Sequence, residues 1–421
     1  MTVRTRPIRA SLSRGVGPVL ALSLLCLGTP PLRAQEEQQR DLSIASLPRP
    51  GYEPRTLTAG GFLLIPSLEA DTTYNDNIFA TPDRRKGDTI FDIQPRLTGE
   101  LKRSDFDLKT DIHADLIRYV DTPRENVNTF GTKLDATKMF GASQSLNATV
   151  TFDRTYERRS DPEADFDRSL PPTLINLATG DFSYSYKGGR AGIIARVLVN
   201  YLDYLPKVDD DRDLMTYRAS VRGSLNLTQR VAVYIEPFVN RRDARLRVDR
   251  SGVDRDTTTS GGLVGLSFDI TNRLQGNIGA GVFHADPDDR TLKGFTGIAA
   301  SGRIVWHPAS RTTVVADICR GDVATIRNGA IGRIDTRAGI SIDQEARHNL
   351  ILHGGVAIYN IHYRGSIDRD QRYVSGTAEA RYLMNRYLTL ILNSIYTHRG
   401  ADQDPDRFHR WQSQLGIRFA Y

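Results

Sequence analysis

From about residue 62 to the C-terminus, apolar and polar side chains alternate along the chain with a period of two. Residues 105–118 show it plainly. Phe106, Leu108, Thr110, Ile112, Ala114 and Leu116 share one face, and Asp105, Asp107, Lys109, Asp111, His113 and Asp115 share the other. Successive side chains of a strand point to opposite faces, so such a segment has one side in oil and the other in water. The same split recurs in Leu146, Ala148, Val150 and Phe152; in Ile193, Ala195, Val197, Val199 and Tyr201; and in Tyr217, Ala219, Val221, Gly223 and Leu225. Further along it returns in Gly262 to Ile270, in Ile298 to Trp306, in Ile334, Thr336, Ala338, Ile340 and Ile342, and in Val374 to Met384. In these rows, roughly four dozen apolar-face positions carry no charge, although a quarter of the chain is charged. A lipid-facing Arg or Lys at the bilayer midplane costs ~2–4 kcal/mol, which accounts for the deficit. Lys138 breaks the row Phe130, Thr132, Leu134, Ala136 and Phe140, and its long stem lets it snorkel at a membrane edge.

A soluble sandwich also alternates, but the connections argue for a membrane barrel. Short turns (102–105, 141–144, 187–190, 227–230, 307–311, 384–386) alternate with longer charged loops (157–173, 243–256, 286–290, 399–407). Short periplasmic turns and long extracellular loops characterise outer-membrane barrels. The alternation predicts an all-β, transmembrane, antiparallel up-and-down β-barrel of about 18 strands, the first near 62–74 and the last near 408–421. An even count puts both ends of the barrel on the periplasmic side. In the last strand Trp411, Ser413, Leu415, Ile417, Phe419 and the terminal Tyr421 share a face. That strand resembles the sorting signal read by the barrel-assembly machinery, with Trp411, Leu415, Ile417, Phe419 and Tyr421 as its contacts.

The N-terminus changes how the charge is read. Arg4, Arg6, Arg9 and Arg14 precede an apolar run from Val16 to Leu27 and then Thr29 to Ala34, the three parts of a secretory signal peptide. The division expected is a leader at 1–34, a periplasmic linker at 35–59 and the barrel at 60–421. Residues 1–34 hold five arginines and no carboxylate, so the formal charge of +6 (56 minus 50) falls to +1 (51 minus 50) once they are removed. A basic pI that belongs to a leader implies no nucleic-acid partner. Cys26 leaves with the leader, and Cys319 is then expected to be a lone, inert thiol. The eight histidines are scattered, without metal spacing or a glycine-flanked nucleophile, so neither an enzyme nor a metal or other cofactor is expected. Asp404 with His398 and His409 is the one grouping that imitates a catalytic cluster.

The stretch Leu47-Pro-Arg-Pro-Gly-Tyr-Glu-Pro54, then Gly60-Gly-Phe-Leu-Leu-Ile-Pro-Ser-Leu68, then Tyr74-Asn-Asp-Asn-Ile-Phe79 resembles the entry segment of the β-barrel porin type 2 family. Those are outer-membrane proteins often encoded beside exopolysaccharide genes. The resemblance implies a passive conduit for a secreted polysaccharide, with outer-membrane lipid, lipopolysaccharide and the polysaccharide export machinery as partners. Bottom-up, Pro48 to Pro54 reads as an extended linker, Pro66 as a strand-edge proline, and Asn75-Asp76-Asn77 as the first extracellular turn. The water-facing positions are charged unevenly. Asp92, Glu100, Asp107, Asp111, Asp115, Asp135 and Asp153 come early, whereas Arg196, Arg218, Arg222, Arg303, Arg333, Arg337, Arg381 and Arg418 come late. In a closed barrel these would be two opposed arcs lining the pore, with a transverse field between them. Alternatives of other kinds are a diffusion porin for small anions and a structural or adhesive barrel that transports nothing.

Overall fold

The computed structural model describes residues 43–164, 169–249, 252–271, 273–325, 330–365 and 369–421. The expected leader lies outside them. After a 3-10 turn at Ile44–Ser46 come the strands β1 (Leu57–Ala59), β2 (Phe62–Asn75), β3 (Asp88–Lys102), β4 (Phe106–Tyr119), β5 (Val127–Phe140), β6 (Gln144–Tyr156) and β7 (Leu174–Lys187). They continue as β8 (Ala191–Tyr204), β9 (Leu214–Asn226), β10 (Val231–Ala244), β11 (Thr257–Thr271), β12 (Leu274–Pro287) and β13 (Phe295–Ala309). The last six are β14 (Thr312–Val323), β15 (Ala330–Arg347), β16 (Leu350–Gly365), β17 (Asp370–Leu383), β18 (Leu388–Ala401) and β19 (Phe408–Ala420).

Each strand from β2 to β19 pairs antiparallel with its sequence neighbours, and β19 pairs back onto β2 from Gln412↔Asn75 to Ala420↔Ser67. The result is a closed 18-strand barrel, with the short β1 lying outside the ring on the start of β2. Closure removes the bare sheet edges that a membrane does not tolerate. Pro66 is accommodated for a local reason. Its carbonyl accepts from the Tyr421 N–H at 3.1 Å, and β19 has ended there, so the missing proline N–H interrupts no ladder.

The outer surface carries the expected apolar rows. Ile112, Val150, Val197, Val221, Val264, Ile298, Ile340 and Val356 are all exposed there, as are Trp411, Leu415, Ile417, Phe419 and Tyr421. At the periplasmic rim Tyr387 packs against Phe419 and Tyr421, with ring centroids 6.2 and 6.3 Å apart. Lys138 reaches sideways to Asp105 with a hydrogen bond of 2.5 Å. Inside, the wall is thinned by glycine where it must seat an aromatic ring, and a Cβ on Gly279 would sit 2.3 Å from the Tyr234 hydroxyl.

Ile334 departs from its row. It is 1% exposed and packs with Phe238, Leu263, Phe283 and Ala299, against which Phe295 also rests. Those neighbours belong to the inner wall, so this end of β15 does not face lipid. Pro48 to Pro54 also departs from an extended run. A turn closes there by a Tyr52 N–H to Arg49 carbonyl bond of 2.9 Å, because Gly51 takes φ 92°, a left-handed conformation open to glycine.

Candidate functional site

The interior of the ring is the candidate site. Its charges do not form two opposed and unpaired arcs. Arg196 donates to Asp181 at 2.7 Å, Arg222 to Glu236 at 2.7 Å and Arg418 to Glu69 at 2.5 Å. Arg381 pairs with Glu379, and Arg333 bridges Glu163 at 3.1 Å and Asp335 at 3.2 Å. Arg303 stands opposite Asp317 in the β13–β14 register. Arg218 lies 4.1 Å from the Phe238 ring centre and Arg337 4.5 Å from that of Tyr359, both within cation–π range.

The early carboxylates are matched in the same way. Asp111 sits 3.6 Å from Arg96 and 3.3 Å from His113, which also approaches Asp153 at 3.6 Å. Asp107 faces Lys102 at 3.9 Å, Asp135 contacts Lys133 at 3.0 Å, and Asp115 accepts from the Thr129 hydroxyl at 2.9 Å. Asp92 is bound by Gln94, and Glu100 stands opposite Lys109. Asp92 and Asp115 are held by neutral groups and Arg218 and Arg337 by aromatic rings, so the ion pairs compensate only part of the field across the lumen.

Three segments fold into the lumen. The loop after β6 crosses it: Glu157 pairs with Arg212, the Ser160 carbonyl accepts from the Tyr373 hydroxyl at 3.2 Å and from Arg399 at 3.4 Å, and Glu163 reaches Thr325 at 2.6 Å. β6 and β17 lie on roughly opposite sides of the ring, so this loop is a crossbar. Burial pushes the Glu157 carboxyl up to about 7, ahead of the opposing effect of Arg212, and the Asp161 carboxyl up to about 6, ahead of Arg158. The outer end of the β14–β15 hairpin is the second obstruction. Asp322 pairs with Arg242 of β10 and accepts from the Thr259 hydroxyl of β11 at 2.7 Å.

The third segment closes in from the periplasmic end. The Ile44 N–H donates to the Thr313 hydroxyl at 2.9 Å, Ser43 donates to Asp343, and Arg49 lies 3.7 Å from Glu345. Tyr52 meets the His348 ring edge-on at 5.7 Å. Arg212, Arg242, Arg399 and Glu163 were absent from the residues singled out in the sequence. Arg212 and Arg242 each stand beside an aspartate, and all three arginines lie in a loop or near a strand end, where sequence alone suggests solvent.

Asn77 organises the first extracellular turn as expected. Its N–H donates to Asn75 Oδ1 at 3.0 Å and its amide donates to the Thr81 and His409 carbonyls at 2.8 and 3.0 Å. His398 stands opposite His409 in the β18–β19 register. Among the described residues no group of three His, Cys, Asp or Glu is placed to hold a metal. Cys319 stands opposite Arg337 in the β14–β15 register.

The barrel is similar to several solved structures. One is the FrpB iron transporter of Neisseria meningitidis (F3-3 variant), at 11% identity over 79% of this chain and 62% of that one, with a TM-score of 0.42. Others are the outer membrane protein opdK of Pseudomonas aeruginosa, at 11% identity over 85% and 99% with a TM-score of 0.43, and OccAB3 of Acinetobacter baumannii, at 9% over 86% and 100% with 0.45. No curated protein matches the chain in sequence. Residues 49–421 match the family described as "Putative beta-barrel porin 2", and with nearly the whole barrel covered, the chain belongs to that family of porin-like outer-membrane β-barrels.

Proposed function

We propose that this barrel is a passive conduit for hydrophilic solutes across the outer membrane, and that its cargo is a secreted, acidic polysaccharide. The observation that carries the reading is a closed ring of 18 strands whose inner face is lined with arginines, carboxylates and aromatic rings. Barrels of 16–18 strands are wide enough to hold an aqueous channel. Arginine on an aromatic face, as at Arg218 and Arg337, offers a carboxylated sugar a fork of donors that exchanges readily with water. The choice of cargo rests on the exopolysaccharide association that the resemblance of residues 47–79 implies. Export to the membrane proceeds through cleavage near Ala34 and recognition of the Trp411 to Tyr421 strand by the assembly machinery.

The test is single-channel recording in planar bilayers with the candidate polymer added on the periplasmic side. The polymer should block the current, and Arg218→Glu with Arg337→Glu should weaken the block. If no acidic polymer blocks while small anions pass freely, the cargo assignment fails. One observation favours small anions as a second reading. The crossbar loop and the β14–β15 hairpin narrow the outer half of the lumen, and a polymer must displace what a small ion can pass.

A further inference from the structure

The inner wall of β8, β9 and β10 presents the arginines Arg196, Arg218, Arg222 and Arg242, and three of them have a carboxylate. Arg196 donates to Asp181, Arg222 to Glu236, and Arg242 pairs with Asp322. Arg218 has none. Among the described residues its guanidinium makes no hydrogen bond or ion pair, and it lies over the Phe238 ring, 4.1 Å from the centre. The other charges cancel in pairs, so the one positive charge left over sits on a half-buried side chain of the lumen wall.

The wall around Arg218 is polar and equally unsatisfied. Asn240, directly opposite it in the β9–β10 register, is 2% exposed, and its side chain has no hydrogen-bond partner among the described residues. Asn200 of β8 stands opposite Thr216 and so on the diagonal from Arg218, and its Oδ1 accepts nothing either. Beyond it Thr179 of β7, opposite Asn200 and 7% exposed, has an unbonded hydroxyl. Leaving buried polar groups unpaired is destabilising. A wall that gathers three of them beside an uncompensated cation therefore serves something other than its own stability.

We propose that Arg218, Asn240, Asn200 and Thr179 form a binding subsite for a hydroxylated carboxylate of the uronic acid class. The inference rests on the conduit reading above and gives that conduit one selective resting place. Half-buried Arg218 and Asn200 form the mouth of the subsite, and the more deeply buried Asn240 and Thr179 its floor. A carboxylate takes two parallel N–H bonds from the Arg218 fork, which the Phe238 ring steadies from one side. The unused acceptors Asn240 Oδ1 and Asn200 Oδ1 call for donors, which sugar hydroxyls supply and chloride or acetate lacks; the Thr179 hydroxyl takes either role. Directly opposed side chains lie about 5 Å apart and diagonal ones about 7–8 Å. One pyranose ring can therefore set its carboxylate on Arg218 and its hydroxyls on the amides.

The test is calorimetric titration of the intact barrel in lipid nanodiscs with D-glucuronate, and with D-glucose and acetate as probes of its two halves. Glucuronate should bind at least roughly tenfold more tightly than either. Arg218→Gln should bring glucuronate down to the level of glucose. Asn240→Leu should weaken glucuronate several-fold and leave acetate unchanged, and it should not lower the unfolding midpoint, because the amide it removes has no partner in the protein. A purely structural asparagine would show the reverse, a lower midpoint with binding intact. If Asn240→Leu fails to assemble, Asn200→Ala, at a half-buried position, takes its place. Equal affinities for glucuronate and acetate, or glucuronate binding untouched by Arg218→Gln, overturn the subsite. Current through planar bilayers separates the two readings: binding that both variants weaken, in a barrel that never conducts, supports the subsite and overturns the conduit, whereas a conducting barrel that binds no glucuronate overturns the subsite alone.

Discussion

Replacing Ile340 by arginine tests the physical premise under everything else, namely that the outer face of this ring is solvated by hydrocarbon. Ile340 is 55% exposed on the outer surface of β15, between Ala338 and Ile342, with its neighbours on β14 and β16, Ala316 and Val356, also apolar. Full burial of an isoleucine contributes ~1.5–3 kcal/mol, so the half that faces lipid accounts for about 1 kcal/mol. Placing a guanidinium there adds ~2–4 kcal/mol. The expected loss is about 3–5 kcal/mol. Ser341→Arg, one residue along and pointing into the lumen, should cost less than ~1 kcal/mol because water can reach it. Guanidinium unfolding in lipid vesicles, followed by tryptophan fluorescence, gives both numbers. Equal costs for the two variants, or a cost below ~1 kcal/mol for Ile340→Arg, would show that the alternation has been assigned to the wrong solvent.

Other expectations follow from single sites. Arg222 and Glu236 are both buried and bonded, so Arg222→Ala should cost ~3–5 kcal/mol by stranding the carboxylate. The double change Arg222→Met with Glu236→Leu should recover most of that in the same unfolding assay, and no recovery would refute the stranded-charge account. Gly279→Ala should destabilise by ~1–3 kcal/mol because its Cβ meets the Tyr234 hydroxyl. Tyr234→Leu in the same molecule should relieve it, as read by the temperature of heat modification on gels. Acid should favour the docked crossbar. With Glu157 and Asp161 raised to about 7 and about 6, well above the ordinary carboxylate range, the docked loop binds more protons than the released one between those limits. Docking therefore strengthens as pH falls from 7 toward 4 and is unaffected by these groups above 7. Conductance should drop on acidification, and Glu157→Gln with Asp161→Asn should flatten the response. A rise in current at pH 5 would contradict the sign.

The strands were legible because lipid and water leave a local mark at every second residue. The row at 105–118 needs no distant partner to be read, and the predicted first and last strands agree with Phe62–Asn75 and Phe408–Ala420 to within a residue. Turn lengths gave the ring its even count for the same reason. What alternation records is which side of its own strand a residue occupies. It does not record whether that strand remains in the wall, and so Ile334 reads as lipid-facing although it is packed inside. Nor does it report register, on which every ion pair depends. Arg196 finds Asp181 and Arg222 finds Glu236 only once neighbouring strands are aligned, so the charges looked like two free arcs in sequence. The crossbar was hidden by its polarity, since Glu157 and Glu163 in a loop read as solvated when their partners are 55 and 170 residues away.

The joint between β19 and β2 has a consequence for how the molecule comes into being. Every other seam of the ring joins strands that follow one another along the chain, and each can form as a hairpin. This one brings Arg418 to Glu69 across 349 residues, at the entropic cost of closing the longest loop in the protein. Until it forms, the sheet is a curved ribbon with two raw margins, one at each end of the polypeptide. A truncation that removes the last strand therefore yields an open crescent rather than a narrower tube, hungry for a strand from another molecule.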